Sequence, residues 1–189
     1  KRVRYFGYII IGLSSIFYLF FYEELLVILL PSFAKHIKLK LKTTEISMLT
    51  TVTMISNVAG KSVGVLLALK LSHMVILYSS LGLMFGSLVT LVIFAESSKT
   101  ILWIGWCAHG AGVSSVIGAL YTMLEKNIEV TPLICGILNT SGTMGSVIIP
   151  LIVGPFIQTR PMMIVYAFLG CTCLCTVFLL AINWMVANK

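Results

Sequence analysis

Six polar or ionisable side chains lie in long apolar stretches of this sequence, where they could bind a solute or an ion. They are Glu23, Glu24, Asn57, Lys61, His109 and Asn139. A charged group inside a membrane-length apolar stretch is costly, and it normally faces a cavity or pairs with an opposite charge. The setting of these residues predicts a pathway for a solute or an ion through a membrane.

Lys61 is the strongest candidate, because it lies on a narrow polar face of a predicted helix. At 100° per residue, six small or polar residues fall within one arc of about 80°, namely Thr50, Thr53, Asn57, Lys61, Gly64 and Ala68. With Lys70 at the membrane boundary, Lys61 lies roughly 14 Å deep, near the middle of a ~30 Å hydrocarbon core. The functional hypothesis is a cation that binds solute hydroxyls or pairs with a carboxylate that loads a coupling ion. The alternatives are a structural lysine joining two helices, or a shifted helix frame that lets the side chain reach an interface.

Glu23 and Glu24 are the candidate carboxylates for ion coupling or solute binding. A helix starting at Tyr5 places Glu23 roughly 27 Å along its axis, close to the far membrane boundary, where both side chains could simply be hydrated. Adjacent residues point about 100° apart, so we expect at most one of them to face a cavity.

The remaining three candidates are neutral or titratable hydrogen-bonding groups. His109 could titrate near neutral pH or donate to a solute, and the alternative is a buried neutral histidine that donates to a carbonyl on a neighbouring helix. Asn57 and Asn139 carry an amide that can bind pairs of sugar hydroxyls. The alternative for both is a hydrogen bond between helices, worth about 0.6 kcal/mol.

The composition is that of an integral membrane protein. The 189 residues are 59% hydrophobic and only 10% charged, and the mean hydropathy is +1.06. The net charge of +7 comes from basic residues dispersed between apolar runs, so the lipid bilayer is the expected partner and nucleic acid is not. The sequence contains no Asp and no motif of a hydrolase or nucleotide-binding enzyme, so we expect no catalytic activity and no organic cofactor. The five cysteines and three histidines lack metal-ligand spacing, and we expect reduced cysteines and no metal site.

The apolar runs predict an all-α integral membrane fold with six transmembrane helices in one domain that covers residues 1–189. Their expected bounds are about 5–30, 44–71, 74–95, 100–124, 132–157 and 162–187. Pro31 is expected to end the first span, and Gly82 and Gly86 to form a packing face on the third. Both termini then lie on one side of the membrane, but basic residues are equally numerous on the two sides and do not give the orientation.

Two short motifs recur in the same order in the two halves of the chain. Asn57-x-x-Gly60 recurs as Asn139-x-x-Gly142, and Tyr78-x-x-Leu81-Gly82 recurs as Tyr166-x-x-Leu169-Gly170. Two copies of a three-helix unit must have opposite orientations in the membrane, because each copy has an odd number of helices. The pattern predicts a three-plus-three inverted repeat.

Three further motifs resemble a known transporter family. Gly60-Lys61-Ser62-Val63-Gly64, Gly145-x4-Pro150-x3-Gly154 and Phe20-Phe21-Tyr22-Glu23-Glu24 resemble patterns in the C-terminal six-helix half of a major facilitator superfamily transporter, with the closest likeness to the sodium-dependent glucose transporter branch. Two departures stand out. Ala68 and Leu69 replace the Asp and basic residue expected after Gly64, and an aromatic residue replaces the Gly of the third motif.

This resemblance implies the function. It implies alternating-access transport of a small polar solute, with a hexose as the first candidate and with sodium or protons as the two options for a coupling ion. It also implies a twelve-helix protein in which the present chain is joined to an N-terminal six-helix half. By the same analogy both termini are cytoplasmic, and the plasma membrane is favoured over an organelle. The alternatives are a non-transporting membrane scaffold or truncated remnant, for which the lost Asp at Ala68 argues, and a homodimer of two halves.

Overall fold

The computed structural model describes residues 22–127 and 131–187, a few of them by their backbone alone. The described residues form seven helices and no strand. The helices are α1 Tyr22–His36, α2 Thr43–Ala68, α3 His73–Phe94, α4 Lys99–Ser114, α5 Val116–Asn127, α6 Pro132–Ile157 and α7 Met163–Ala187. Five helical segments, one of them formed by α4 and α5 together, are long and apolar enough to cross a membrane, and α1 contributes a shorter apolar helix. The protein is therefore an all-helical, multi-pass membrane protein.

The helix α1 does not end where the sequence predicted. Pro31 was expected to end the first span, but the helix continues through it to His36. Proline removes one backbone hydrogen bond, and a membrane helix tolerates this where neighbouring helices shield the freed carbonyl. Leu30, Phe33 and Ala34 around the proline are all buried, so one side of this turn packs against protein. The predicted residues 5–21 of this span lie outside the described residues.

The fourth predicted span is divided into two helices. Ser115 separates α4 from α5, although Lys99–Met123 remains long and apolar enough to cross the membrane as one unit. The Ser115 hydroxyl donates to the Gly60 carbonyl oxygen at 3.4 Å, and the Ser114 hydroxyl donates to the Ala111 carbonyl oxygen. Side-chain hydroxyls that bond to backbone carbonyls commonly bend helices. The break lies where α4 meets α2.

Small residues let α2 and α4 approach closely. A Cβ atom on Gly60 would lie 2.8 Å from the Ala111 carbonyl oxygen, and one on Gly110 would lie 2.7 Å from the Thr53 carbonyl oxygen. The Ser56 hydroxyl donates to the Cys107 carbonyl oxygen at 2.7 Å across the same contact. Helices in lipid associate through such backbone contacts, because burying apolar side chains gains little against lipid tails.

The helix α3 is central and packs against α4, α5 and α7. Its contact with α4 uses Gly105, where a Cβ atom would lie 2.6 Å from Leu91 Cδ2, and Gly112, where it would lie 2.7 Å from Met84 Cγ. The packing face predicted at Gly82 and Gly86 was wrong, because no described atom lies within 4 Å of a Cβ placed at either position.

Ion pairs connect the helix ends at one end of the bundle. Lys38 pairs with Glu96, and Lys99 Nζ lies 2.9 Å from Glu45 Oε1. Glu45 also accepts a hydrogen bond from the Lys42 backbone amide at 2.8 Å, which caps α2. These contacts place the 37–42 and 95–98 connections together, as alternating spans require.

The inverted repeat stays a prediction, because the matched residues have different surroundings. The Tyr78 hydroxyl accepts a hydrogen bond from Asn183 Nδ2 at 3.2 Å, whereas Tyr166 is about half exposed. Asn57 is buried and Asn139 is exposed.

The contact between α2 and α4 gives a matched pair of substitutions. Gly60→Ala should lower the free energy of unfolding in detergent by about 1–3 kcal/mol, because the new methyl group overlaps the α4 backbone. Gly82→Ala should raise it by up to about 1 kcal/mol, because alanine favours the helix and the site has room. Thermal and denaturant unfolding of the purified variants measures both. Equal effects of the two substitutions would contradict the assigned contact.

Candidate functional site

A cavity of about 540 Å³ lies between the C-terminal end of α2, the N-terminal end of α3 and the α4–α5 break. Its polar lining consists of two lysines, one histidine and four hydroxyl groups, namely Lys61, Lys126, His73, Ser72, Ser114, Ser115 and Thr122. Val65, Leu71 and Ile76 are among its apolar wall residues. Its size lies within the ~300–1,000 Å³ of small-molecule sites.

The polar face predicted on α2 serves two different purposes along its length. Thr53 and Asn57 are buried, at 0% and 2% exposure, and the Thr53 backbone lies against Gly110 of α4. Lys61, Gly64 and Ala68, closer to the helix C-terminus, line the cavity instead. The N-terminal part of the face therefore joins helices, and only its C-terminal part borders a space that a solute could enter.

Lys61 lies seven residues before the end of α2, roughly 10 Å along the helix axis. Its side chain is exposed and lines the cavity together with Ser114 and Ser115. Charged groups within membrane segments normally face a cavity or pair with other polar groups, and the position of Lys61 agrees with this rule.

Asn57 and Asn139, which occupy matching positions of the predicted repeat, differ in burial and in their contacts. Asn57 Nδ2 is buried and has no hydrogen-bond partner among the described residues. Asn139 Oδ1 accepts a hydrogen bond from the Tyr121 hydroxyl at 3.3 Å, which connects α5 to α6. Neither amide is a lining residue of the cavity. The geometry favours the alternative that Asn139 is an interhelical contact.

His109 is fully buried among aromatic rings. It stacks on Phe168 at a ring-centroid distance of 6.1 Å, and Trp106 meets it edge-on at 5.7 Å. The imidazole forms a hydrogen bond with the Met84 backbone, and Nδ1 lies 3.4 Å from the Ser87 hydroxyl oxygen. These partners on α3 favour the structural alternative, a histidine that donates to a carbonyl on a neighbouring helix.

Glu23 and Glu24 belong to the first turn of the described part of α1, and their side chains lie outside the described atoms. The expected position near a membrane boundary stays a prediction, because it was measured from Tyr5, which lies outside the described residues. Glu24 lies twelve residues before His36, roughly 18 Å from the C-terminal end of α1.

Sequence reasoning missed His73 and Lys126 as site residues. Lys126 Nζ lies 3.0 Å from His73 Nδ1, although 53 positions separate the two residues. In the sequence, each residue lies at the end of a predicted membrane span with no functional motif around it. Only the packing of α5 against α3 brings them to one cavity.

The five cysteines are free thiols, and the described residues contain no group of three or more potential metal ligands. Cys171, Cys173 and Cys175 differ in burial, from exposed Cys173 to fully buried Cys175. The differences follow from an every-second-residue spacing on α7, which turns successive side chains about 200° apart.

The aromatic setting of His109 leads to a test of its structural role. His109→Ala should lower the free energy of unfolding by about 2–4 kcal/mol, because it leaves a cavity between Trp106 and Phe168 and removes the bond to Met84. His36→Ala is the control, since His36 is exposed and bonds only within its own helix, to the Ser32 carbonyl oxygen. Denaturant unfolding in detergent compares the two variants. A loss of stability below 1 kcal/mol for His109→Ala would contradict the structural role.

Comparison with known proteins gave no match to a protein-family model, a curated protein or a solved structure. The resemblance to the major facilitator superfamily therefore stays a prediction from the sequence motifs.

Proposed function

We propose that the chain is one half of a membrane transporter that moves a small polar solute by alternating access. The observation that carries the proposal is the cavity at one end of the bundle, where Lys61 and four hydroxyl groups line a space between membrane-spanning helices. Ionisable groups at membrane depth typically mark solute or ion pathways, because their cost is otherwise uncompensated. The basic and hydroxyl-rich lining offers hydrogen bonds to a solute that must leave water.

The pairing of the helices supports a transporter built from two three-helix units. Counting α4 and α5 together as the fourth span, the second span packs on the fourth, and the first packs on the fifth. If the two three-helix units are exchanged, the second–fourth contact becomes the fifth–first contact. The exchange also turns the second–third contact into the fifth–sixth contact, and it leaves the third–sixth contact unchanged. The third–fourth and first–second contacts have no such counterpart of comparable extent among the described residues. Inverted repeats of this kind are common in transporters.

The least buried membrane helices are α2 and α6, the second helix of each unit. Apolar side chains such as Ile55 and Val58 on α2, and Leu151 and Ile152 on α6, are more than 60% exposed. Lipid or a second six-helix half would cover them in the membrane. In the proposed twelve-helix protein these two helices have the free surface that the other half needs.

The solute class rests on the sequence motifs, which favour a hexose with sodium or protons as the coupling ion. Asn57 is enclosed between helices in this conformation, so Lys61 and the serine hydroxyls are the proposed solute contacts. Glu23 and Glu24, in the first turn of the described part of α1, are the proposed ion-coupling carboxylates. With both termini cytoplasmic, and the plasma membrane as the proposed location, the cavity opens towards the cytoplasm.

Uptake of labelled hexoses into cells that express the full-length gene tests this proposal. We expect uptake above that of mock-transfected cells, and comparison with and without a sodium gradient identifies the coupling ion. Lys61→Met should reduce uptake per surface-expressed molecule about tenfold or more, because it removes a charged hydrogen-bond donor from the pathway. Lys70→Met is the matched control, because Lys70 is equally basic and exposed but lies outside the cavity lining.

Two outcomes would argue against this assignment. If no hexose is taken up, the sugar is the wrong solute class. If Lys61→Met lowers expression but leaves uptake per molecule unchanged, Lys61 is structural, as the alternative of a non-transporting scaffold requires.

A further inference from the structure

The ionisable residues that line the cavity at the end of α2 are all basic. Lys61, Lys126 and His73 line it, and none of its described lining residues is acidic. Uncharged sugars do not require such a lining. An anionic group would gain Coulomb energy from it, since part of the site is shielded from water by the surrounding helices.

The contact between Lys126 and His73 determines which ring nitrogen of His73 accepts a hydrogen bond and which one donates. An ammonium group has only donors, so the His73 Nδ1 atom, 3.0 Å from Lys126 Nζ, must accept. The neutral imidazole then carries its proton on Nε2, which is a donor. Lys126 keeps two further N–H donors beyond the one given to His73.

The N-terminal end of α3 adds to this group of donors. The Ser72 hydroxyl oxygen accepts from the Val75 backbone amide at 3.4 Å, so its own O–H remains available to donate. His73 is the first residue of the 22-residue helix α3, whose N-terminus carries partial positive charge. Donors from Lys126, His73 and Ser72 therefore lie at one end of the cavity.

The rest of the cavity lining is mixed. Lys61 also lines the cavity, from α2. Ser115 and Thr122 donate to the backbone carbonyl oxygens of Gly60 and Gly118, so they offer a ligand mainly lone pairs. The buried residues Ile76 and Ala119 form part of the apolar wall. A ligand that fits has a compact anionic group at Lys126 and a body with both polar and apolar groups.

We propose that this cavity binds the phosphate group of an organic phosphate through Lys126, His73 and Ser72. Phosphate offers three strongly accepting oxygens, which suits several convergent donors better than the two oxygens of a carboxylate. The phosphate belongs either to an anionic phospholipid headgroup or to a soluble phosphate ester. The proposal shares its cavity with the transport function but does not require transport, since binding is measured directly.

Thermal unfolding of the purified chain measures this binding with three probes. The probes are inorganic phosphate and glycerol 3-phosphate, added to the chain in detergent, and phosphatidylglycerol in nanodiscs compared with phosphatidylcholine alone. We expect at least one probe to raise the Tm in a saturable manner. Lys126→Met should weaken that binding roughly tenfold, because it removes a charge-assisted hydrogen bond, and Lys126→Arg should keep most of it. Lys35→Met is the control, because it removes the same charge from an exposed position outside the cavity lining.

Each outcome supports or overturns the proposal. Stabilisation by glycerol 3-phosphate that is sensitive to Lys126→Met supports a soluble ester, and stabilisation by phosphatidylglycerol alone supports a lipid headgroup. The proposal is overturned if no probe raises the Tm of the wild-type chain. It is also overturned if Lys126→Met and Lys35→Met weaken binding equally, because that result indicates only net charge. Failure of hexose uptake together with phosphate binding would sink the sugar assignment and leave this site intact.

Discussion

The close approach of α2 to α4 is the contact on which the rest of this structure depends. Gly60 and Gly110 leave no room for a side chain between the two backbones, and the Ser56 hydroxyl bonds across the gap. In lipid, where apolar burial gains little, such backbone proximity supplies the dispersion and hydrogen-bond energy of association. The same contact turns Thr53 and Asn57 away from lipid.

The break at Ser115 follows from that contact and creates the cavity. Ser115 bonds to the Gly60 carbonyl, and beyond this point α5 no longer follows α2 as α4 does. The space that opens is closed on its third side by the start of α3. The cavity therefore forms where a tightly packed helix pair separates, and the serines that mark the separation supply part of its polar lining.

The two ends of the bundle differ in their electrostatics. At one end Lys99 pairs with Glu45, and Lys38 pairs with Glu96, so cations and carboxylates offset one another across helix ends. At the other end the described contact is between Lys126 and the neutral ring of His73. Exposed ion pairs add little stability. The positive charge at the cavity end, by contrast, has no carboxylate among the described lining residues.

The sequence by itself determined that this is a helical membrane protein, because membrane-length apolar runs interrupted by short charged segments have few other solutions. It also predicted that Lys61 lies at membrane depth on a polar helix face. Tertiary structure alone decided how these features are used. The polar face of α2 is divided between a helix contact and a cavity, α1 continues through Pro31, and His73 and Lys126 meet across 53 positions. Periodicity reports which residues share a helix face, but which neighbour that face meets depends on contacts between residues far apart in sequence.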